Sequence, residues 1–167
     1  MKKPNLIVKQ SVTVDFQVNE ERKTLEVKPY ETLAEALREK LGLFGLKLGC
    51  NRGECGECTV ILDGEAVLAC SMLAVDVDGK TIQTIEGLEK DGQLHPLQTA
   101  FVEFDAVQCG YCTPGMILSL KALLDKNPNP SETDIREAIA GNICRCGTYQ
   151  RALKATLSIV KGPKNPA

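Results

Sequence analysis

The rhythm of hydrophobic and polar positions changes once along the chain, near residue 93. Before that point the period is mostly two. Val12, Val14, Phe16 and Val18 alternate with polar residues, as on a strand with one face buried. Leu25 and Val27 resume the alternation after the polar stretch 19–23, which predicts a turn back as a hairpin. Thr59-Val60-Ile61-Leu62 and the stretch 65–69 flank Asp63-Gly64, a strong signal for a two-residue hairpin turn. One helix is predicted inside this strand-rich part. Leu33, Ala36, Leu37 and Leu41 recur at helical spacing, and Gly42 can end the helix.

After residue 93 the period becomes 3.6. Leu97, Ala100, Phe101 and Phe104 form one helical stripe. Residues 114–124 are apolar almost all round, which predicts a helix buried among others. Ser131-Glu132-Thr133-Asp134 opens a third helix in the manner of a capping box, with Ile135, Ala138 and Ile139 on one face. Leu153, Leu157 and Val160 stripe a fourth. The stretch 126–130 (Lys-Asn-Pro-Asn-Pro) is a turn, because neither proline can continue a helix. The tail after Lys161 is expected to fray. The pattern therefore predicts a small half of strands with one helix, a linker near 85–93, and a half of four helices.

Composition narrows the class. The chain has 167 residues, 43% hydrophobic, with a net charge of −2, enough for one domain or two small ones. It has no long basic run, which argues against a nucleic-acid partner. Its apolar runs are too short to span a bilayer. The start carries basic residues but an apolar run of only Leu6, Ile7 and Val8, so no signal peptide is expected. A cytoplasmic location follows as the expectation. Thiols stay reduced there, so the eight cysteines point to metal binding over a disulfide framework.

Those cysteines fall into two sets of four. Cys50, Cys55, Cys58 and Cys70 read C-x4-C-x2-C-x11-C, the spacing of a plant-type [2Fe–2S] site with a remote fourth ligand. Such a cluster with its four thiolates carries a charge of about −2. Burying that charge is costly unless dipoles point at it. The loop 49–58 suits the task. Gly49, Gly53 and Gly56 let the backbone wrap, so that successive N–H groups can aim at sulfur as an anion-binding nest. Arg52 either adds a positive charge to the site or is a solvated surface residue. Glu54 and Glu57 are expected to face solvent.

Cys109, Cys112, Cys144 and Cys146 read C-x2-C-x31-C-x-C. Thr113 is a good N-cap and Pro114 suits the first turn. Cys112 is then predicted at a helix N-terminus, where the dipole favours negative charge. Cys144-Arg145-Cys146-Gly147 follows the third helix and can close the site from across the bundle. Structural zinc is the rival for any cysteine quartet. It fits the first quartet poorly, since zinc ligands usually come as two short pairs; spacing alone leaves it open for the second. The C-x2-C-x2-C-x3-C-P run of a [4Fe–4S] site is absent. Two clusters in series would make the chain an electron conduit.

The strings 49–60 (GCNRGECGECTV), 107–116 (VQCGYCTPGM) and 141–147 (GNICRCG) resemble the small iron–sulfur subunit of the molybdenum hydroxylases. This is the family of xanthine dehydrogenase, aldehyde oxidoreductase and carbon monoxide dehydrogenase, and the resemblance covers almost the whole chain. It implies an α+β chain, with a plant-ferredoxin-like β-grasp domain over 1–84 and a four-helix-bundle [2Fe–2S] domain over 85–167. It implies an outer cluster on Cys50, Cys55, Cys58 and Cys70. It implies an inner one on Cys109, Cys112, Cys144 and Cys146, nearer molybdenum. By the same resemblance Gln108 and Cys146 contact the molybdopterin of a large partner subunit, often accompanied by a flavin subunit that carries FAD.

One departure stands out. Many members read C-R-C-T-G-Y where this chain has Cys144-Arg145-Cys146-Gly147-Thr148-Tyr149, with glycine and threonine exchanged. That order resembles some bacterial isoquinoline and aldehyde oxidoreductases, a pointer to heterocycle or aldehyde substrates.

Little else in the sequence suggests chemistry. His95, the single histidine, reads as a cap or surface residue, and Met72 and Met116 as core. No G-x-G-x-x-G or Walker motif is present, so no nucleotide or flavin site is expected on this chain. The reading is an electron-transfer subunit that does no bond chemistry itself and passes electrons from molybdenum to flavin or an external acceptor. A free-standing two-cluster ferredoxin and a zinc-stabilised interaction module are the alternatives.

Overall fold

A computed structural model of the protein describes residues 10–160. The basic start and the tail after 161 lie outside the described residues.

β1 (Val12–Val18) and β2 (Glu21–Val27) form an antiparallel hairpin, paired from Val12↔Val27 to Val18↔Glu21. The turn is tighter than the polar stretch suggested. Asn19 and Glu20 alone make it, both with positive φ, and residues 21–23 belong to β2. Asparagine tolerates this left-handed backbone. Here its amide is also fixed: Nδ2 donates to Thr84 Oγ1, and Thr84 N donates to Oδ1, both at 2.9 Å. β3 (Thr59–Leu62) and β4 (Glu65–Leu68) form the predicted hairpin. Asp63 and Gly64 both take positive φ, as a type I′ turn requires. β5 (Thr81–Gln83) completes a sheet ordered β2-β1-β5-β3-β4. It runs parallel to β1 and antiparallel to β3, and is too short to register as an alternating pattern.

The predicted helix in this part begins as α1 (Leu33–Glu35) and continues as a π-helical segment, Ala36–Lys40. Thr32 and Glu35 cap its start reciprocally. Leu33, Ala34, Ala36 and Leu37 are buried, Leu41 is half-buried, and Gly42 ends the segment with positive φ.

Four helices follow: α2 (Pro96–Glu103), α3 (Thr113–Lys126), α4 (Glu132–Ala138) and α5 (Tyr149–Val160). His95 caps α2, its Nδ1 accepting from Leu97 N at 3.2 Å. Ser131 and Asp134 form the predicted capping box on α4. The cap of α3 differs from expectation. Cys112 holds the N-cap position, and Thr113 is the first helical residue. The segment read as a linker is compact, with a 3₁₀ turn at Ile85–Gly87 and Leu88 buried.

Two apolar clusters result. One joins Val14, Phe16, Leu33, Leu37, Val60 and Ile82, with Cys58 and Cys70 at its edge. The other joins Leu97, Phe101, Met116, Leu120, Ile135 and Leu153, with Cys112 and Cys144. Strand β3 serves both. Its alternation sends Val60 and Leu62 into the first cluster and Ile61 into the second, where α3 covers it. Met116 is fully buried and Met72 only half so. Among the described residues no helix is long and apolar enough to cross a membrane.

Candidate metal centres

The loop 49–58 and the 3₁₀ turn Ala69–Ser71 bring the first four cysteines together. Cys50 faces Cys55, and Cys58 faces Cys70. Positive φ at Asn51 and Gly53 curls the backbone, and its amides turn toward sulfur. Arg52 N and Glu54 N lie 3.4 and 3.3 Å from Cys50 Sγ. Gly53 N lies 3.2 Å from Cys70 Sγ. The Arg52 and Glu54 N–H groups hold the Cys50 thiol down to about 7. Burial pushes Cys58 up to about 12 and raises Cys55 as well.

In this loop the structure decides between the two readings of Arg52 and corrects that of Glu57. Arg52 acts here through its backbone N–H; its guanidinium pairs with Glu54 at 3.1 Å in solvent. Glu57 was expected to face solvent but is half-buried, with Oε2 3.5 Å from Cys55 Sγ.

The second quartet joins the start of α3 to the loop before α5. Cys109 Sγ and Cys146 Sγ are 3.6 Å apart. Two thiolates about 2.3 Å from one tetrahedral metal stand about 3.8 Å apart. Cys112 faces Cys144. Burial, then the neighbouring Cys144, pushes the Cys112 thiol up to about 12. Burial also raises Cys144, but hydrogen bonding outweighs it, led by the Thr148 hydroxyl, and brings that thiol to about 7. Cys144 N donates to Tyr149 Oη at 2.7 Å.

Among the described residues no three His, Cys, Asp or Glu side chains are grouped to hold one metal ion. A two-iron cluster asks for two pairs of thiolates, one pair on each iron. The pairs Cys50/Cys55, Cys58/Cys70, Cys109/Cys146 and Cys112/Cys144 are of that kind. Amides directed at sulfur add what a buried anionic cluster needs. The residues present therefore fit the group.

The two quartets lie back to back. Ile143 N donates to Cys55 O at 2.8 Å, so one backbone hydrogen bond joins the two cysteine loops. The buried Asn142 donates Nδ2 to Gly56 O at 2.8 Å, and Tyr111 Oη donates to Leu48 O at 2.9 Å. Gln108 and Cys109 are exposed, as are the apolar side chains of their near neighbours in sequence, Val107 and Tyr111, and that of Ile143 in the loop before α5. Sequence reasoning missed Asn142, Thr148 and Tyr149. Only their adjacency to Cys144 and Cys146 could have flagged them.

Two families match. Residues 16–86 match the 2Fe-2S iron-sulfur cluster binding domain, and residues 84–157 match the [2Fe-2S] binding domain. The chain is 50% identical over 138 residues to the nicotinate dehydrogenase small FeS subunit of Eubacterium barkeri, covering 83% of this chain and 88% of that one. It is 47% identical over 146 residues to the nicotine 6-hydroxylase small subunit of Paenarthrobacter nicotinovorans, covering 87% and 88%. Among solved structures it superposes on a chain of quinoline 2-oxidoreductase from Pseudomonas putida 86. The TM-score is 0.87 at 38% identity, covering 91% of this chain and 95% of that one. Relatives named as subunits of oxidoreductases favour neither a free-standing ferredoxin nor a zinc module.

Proposed function

The chain belongs to the small iron–sulfur subunits of the molybdenum hydroxylases, electron-transfer subunits of oxidoreductase complexes, and we propose how its own residues serve that role. Residues 1–84 form a ferredoxin-like β-grasp domain and residues 85–167 a four-helix domain. Cys50, Cys55, Cys58 and Cys70 hold an outer [2Fe–2S] cluster. Cys109, Cys112, Cys144 and Cys146 hold an inner one. Bound there, each cluster takes up and gives out one electron at a time. The protein positions the sites, excludes water from Cys58 and Cys112, and aims N–H groups at Cys50 and Cys70 to offset negative charge.

The observation that carries this reading is the back-to-back placement of two cysteine quartets, bridged by the hydrogen bond from Ile143 N to Cys55 O. The exposed edge at Gln108 and Cys109 meets a large molybdopterin-binding subunit, with Gln108 and Cys146 against the pterin. Electrons leave by the outer quartet, where Cys50 is partly exposed, to a flavin subunit carrying FAD or to an external acceptor. The complex works in the cytoplasm. Nicotinate, nicotine and quinoline in the names of its relatives support an N-heteroaromatic substrate, as does the Gly147-Thr148 order. Iron analysis with EPR of the dithionite-reduced protein tests the proposal. Two distinct S = 1/2 signals are expected; one signal, or stoichiometric zinc, would refute it.

A further inference from the structure

The exchange of glycine and threonine at 147–148 has a structural consequence. Gly147 takes a left-handed φ of 75°, a conformation glycine adopts at no steric cost. Thr148 then falls at the entrance of α5. Its carbonyl accepts the first helical N–H groups, from Arg151 and Ala152, at 3.0 and 2.9 Å. A threonine in that place usually turns its hydroxyl onto the helix amides. Here Oγ1 lies 3.3 Å from Cys144 Sγ, and the residue is 3% exposed. A sulfur bound to iron carries no proton, so the hydroxyl must be the donor.

We propose that Thr148 tunes the inner cluster, donating a buried hydrogen bond to Cys144 Sγ that favours the reduced state and so raises that cluster's reduction potential. The physical basis is charge. Reduction adds an electron to the cluster and its thiolates, and a donor aimed at sulfur gains more from the reduced form than from the oxidised one. Little water reaches this sulfur to supply the same bond, because Cys144 is itself 9% exposed. Thr148 thus acts through Cys144, and its effect is confined to one of the two clusters.

The inference rests on the two-cluster reading and is tested in the assembled complex. Potentiometric titration followed by EPR reads both midpoints, with the inner signal identified by its loss in Cys112→Ser. Thr148→Val keeps the shape and removes the hydroxyl, and Thr148→Ala is the smaller alternative. Either should lower the inner midpoint, moving the sharing of one electron between the clusters roughly three- to tenfold toward the outer one. Thr148→Ser should restore it, and the outer midpoint should not move. An unchanged inner midpoint in a fully loaded Val or Ala variant would overturn the proposal, as would equal shifts of both midpoints. Loss of the inner cluster in both variants would also overturn it, assigning Thr148 to cluster retention. If the wild-type complex itself lacks a second signal, the two-cluster reading fails and this inference with it.

Discussion

Gly115, in the first turn of α3, packs directly on the carbonyl of Gly56 in the first cysteine loop. A Cβ added to Gly115 would lie 2.4 Å from Gly56 O and 3.1 Å from Asn142 Nδ2. The near atom is backbone, already held by Asn142 and by Thr59 Oγ1 at 2.6 Å, so it cannot step aside cheaply. Alanine in a helix is ordinarily worth about 1 kcal/mol over glycine. Overpacking a tight contact costs about 1–3 kcal/mol, and here the second effect should win. Gly115→Ala is expected to lower the melting temperature followed by circular dichroism. A variant as stable as wild type would show that the two cysteine loops are not clamped at this point.

The independence of the two quartets is a separate matter from their contact. Each has its own scaffold, a nest of loop amides for one and a helix start with a following loop for the other. Cys55→Ser should therefore remove one EPR signal and about half the iron, and Cys112→Ser the other signal. The hydrogen bond from Ile143 N uses the carbonyl of Cys55, not its sulfur, so it survives the first substitution. Loss of both signals from a folded single variant would show that the sites assemble as one unit.

Much of this architecture was legible in the sequence because it follows from period and spacing. The alternation in β1, the Asp63-Gly64 turn, the Ser131 capping box and both cysteine quartets needed no tertiary information. What escaped depends on partners far along the chain. Asn19 and Glu20 turn a hairpin without glycine, with Asn19 tied to Thr84, 65 positions away. β5 is three residues long and is defined by its neighbours. Glu57 reads as a surface acid, and only the folded loop places it beside Cys55. Cys112, not Thr113, takes the cap position of α3, and its side chain makes no capping hydrogen bond.

Thiol ionisation within the first quartet should be uneven. Amides from Arg52 and Glu54 hold Cys50 at about 7, while burial pushes Cys58 up to about 12. In reduced, cluster-free protein at pH 8, Cys50 lies above its transition and is mostly thiolate, whereas Cys58 is protonated. The thiolate is the nucleophile, so iodoacetamide should label Cys50 well before Cys58. Labelling of Cys50 should fall as the pH drops through 7. Peptide mass spectrometry over a time course gives both rates. Equal rates would mean that the amides do not act on Cys50 once the cluster is gone.

Gln108 offers the sharpest test of how electrons enter. It is exposed, as is its neighbour Cys109, whose sulfur lies 3.6 Å from that of Cys146. An exposed loop amide contributes little to folding, and surface substitutions of this kind usually stay within about 0.5 kcal/mol. Gln108→Ala should therefore leave the fold and both clusters intact. If Gln108 touches the pterin in the complex, the same change removes a contact on the electron's way in. Stopped-flow reduction by substrate, followed at the cluster absorbance, should then be slower in the variant. Direct reduction by dithionite should be unchanged, which separates a damaged entry from a damaged cluster. Normal kinetics with substrate would remove Gln108 from the electron path and leave Cys146 as the contact to examine.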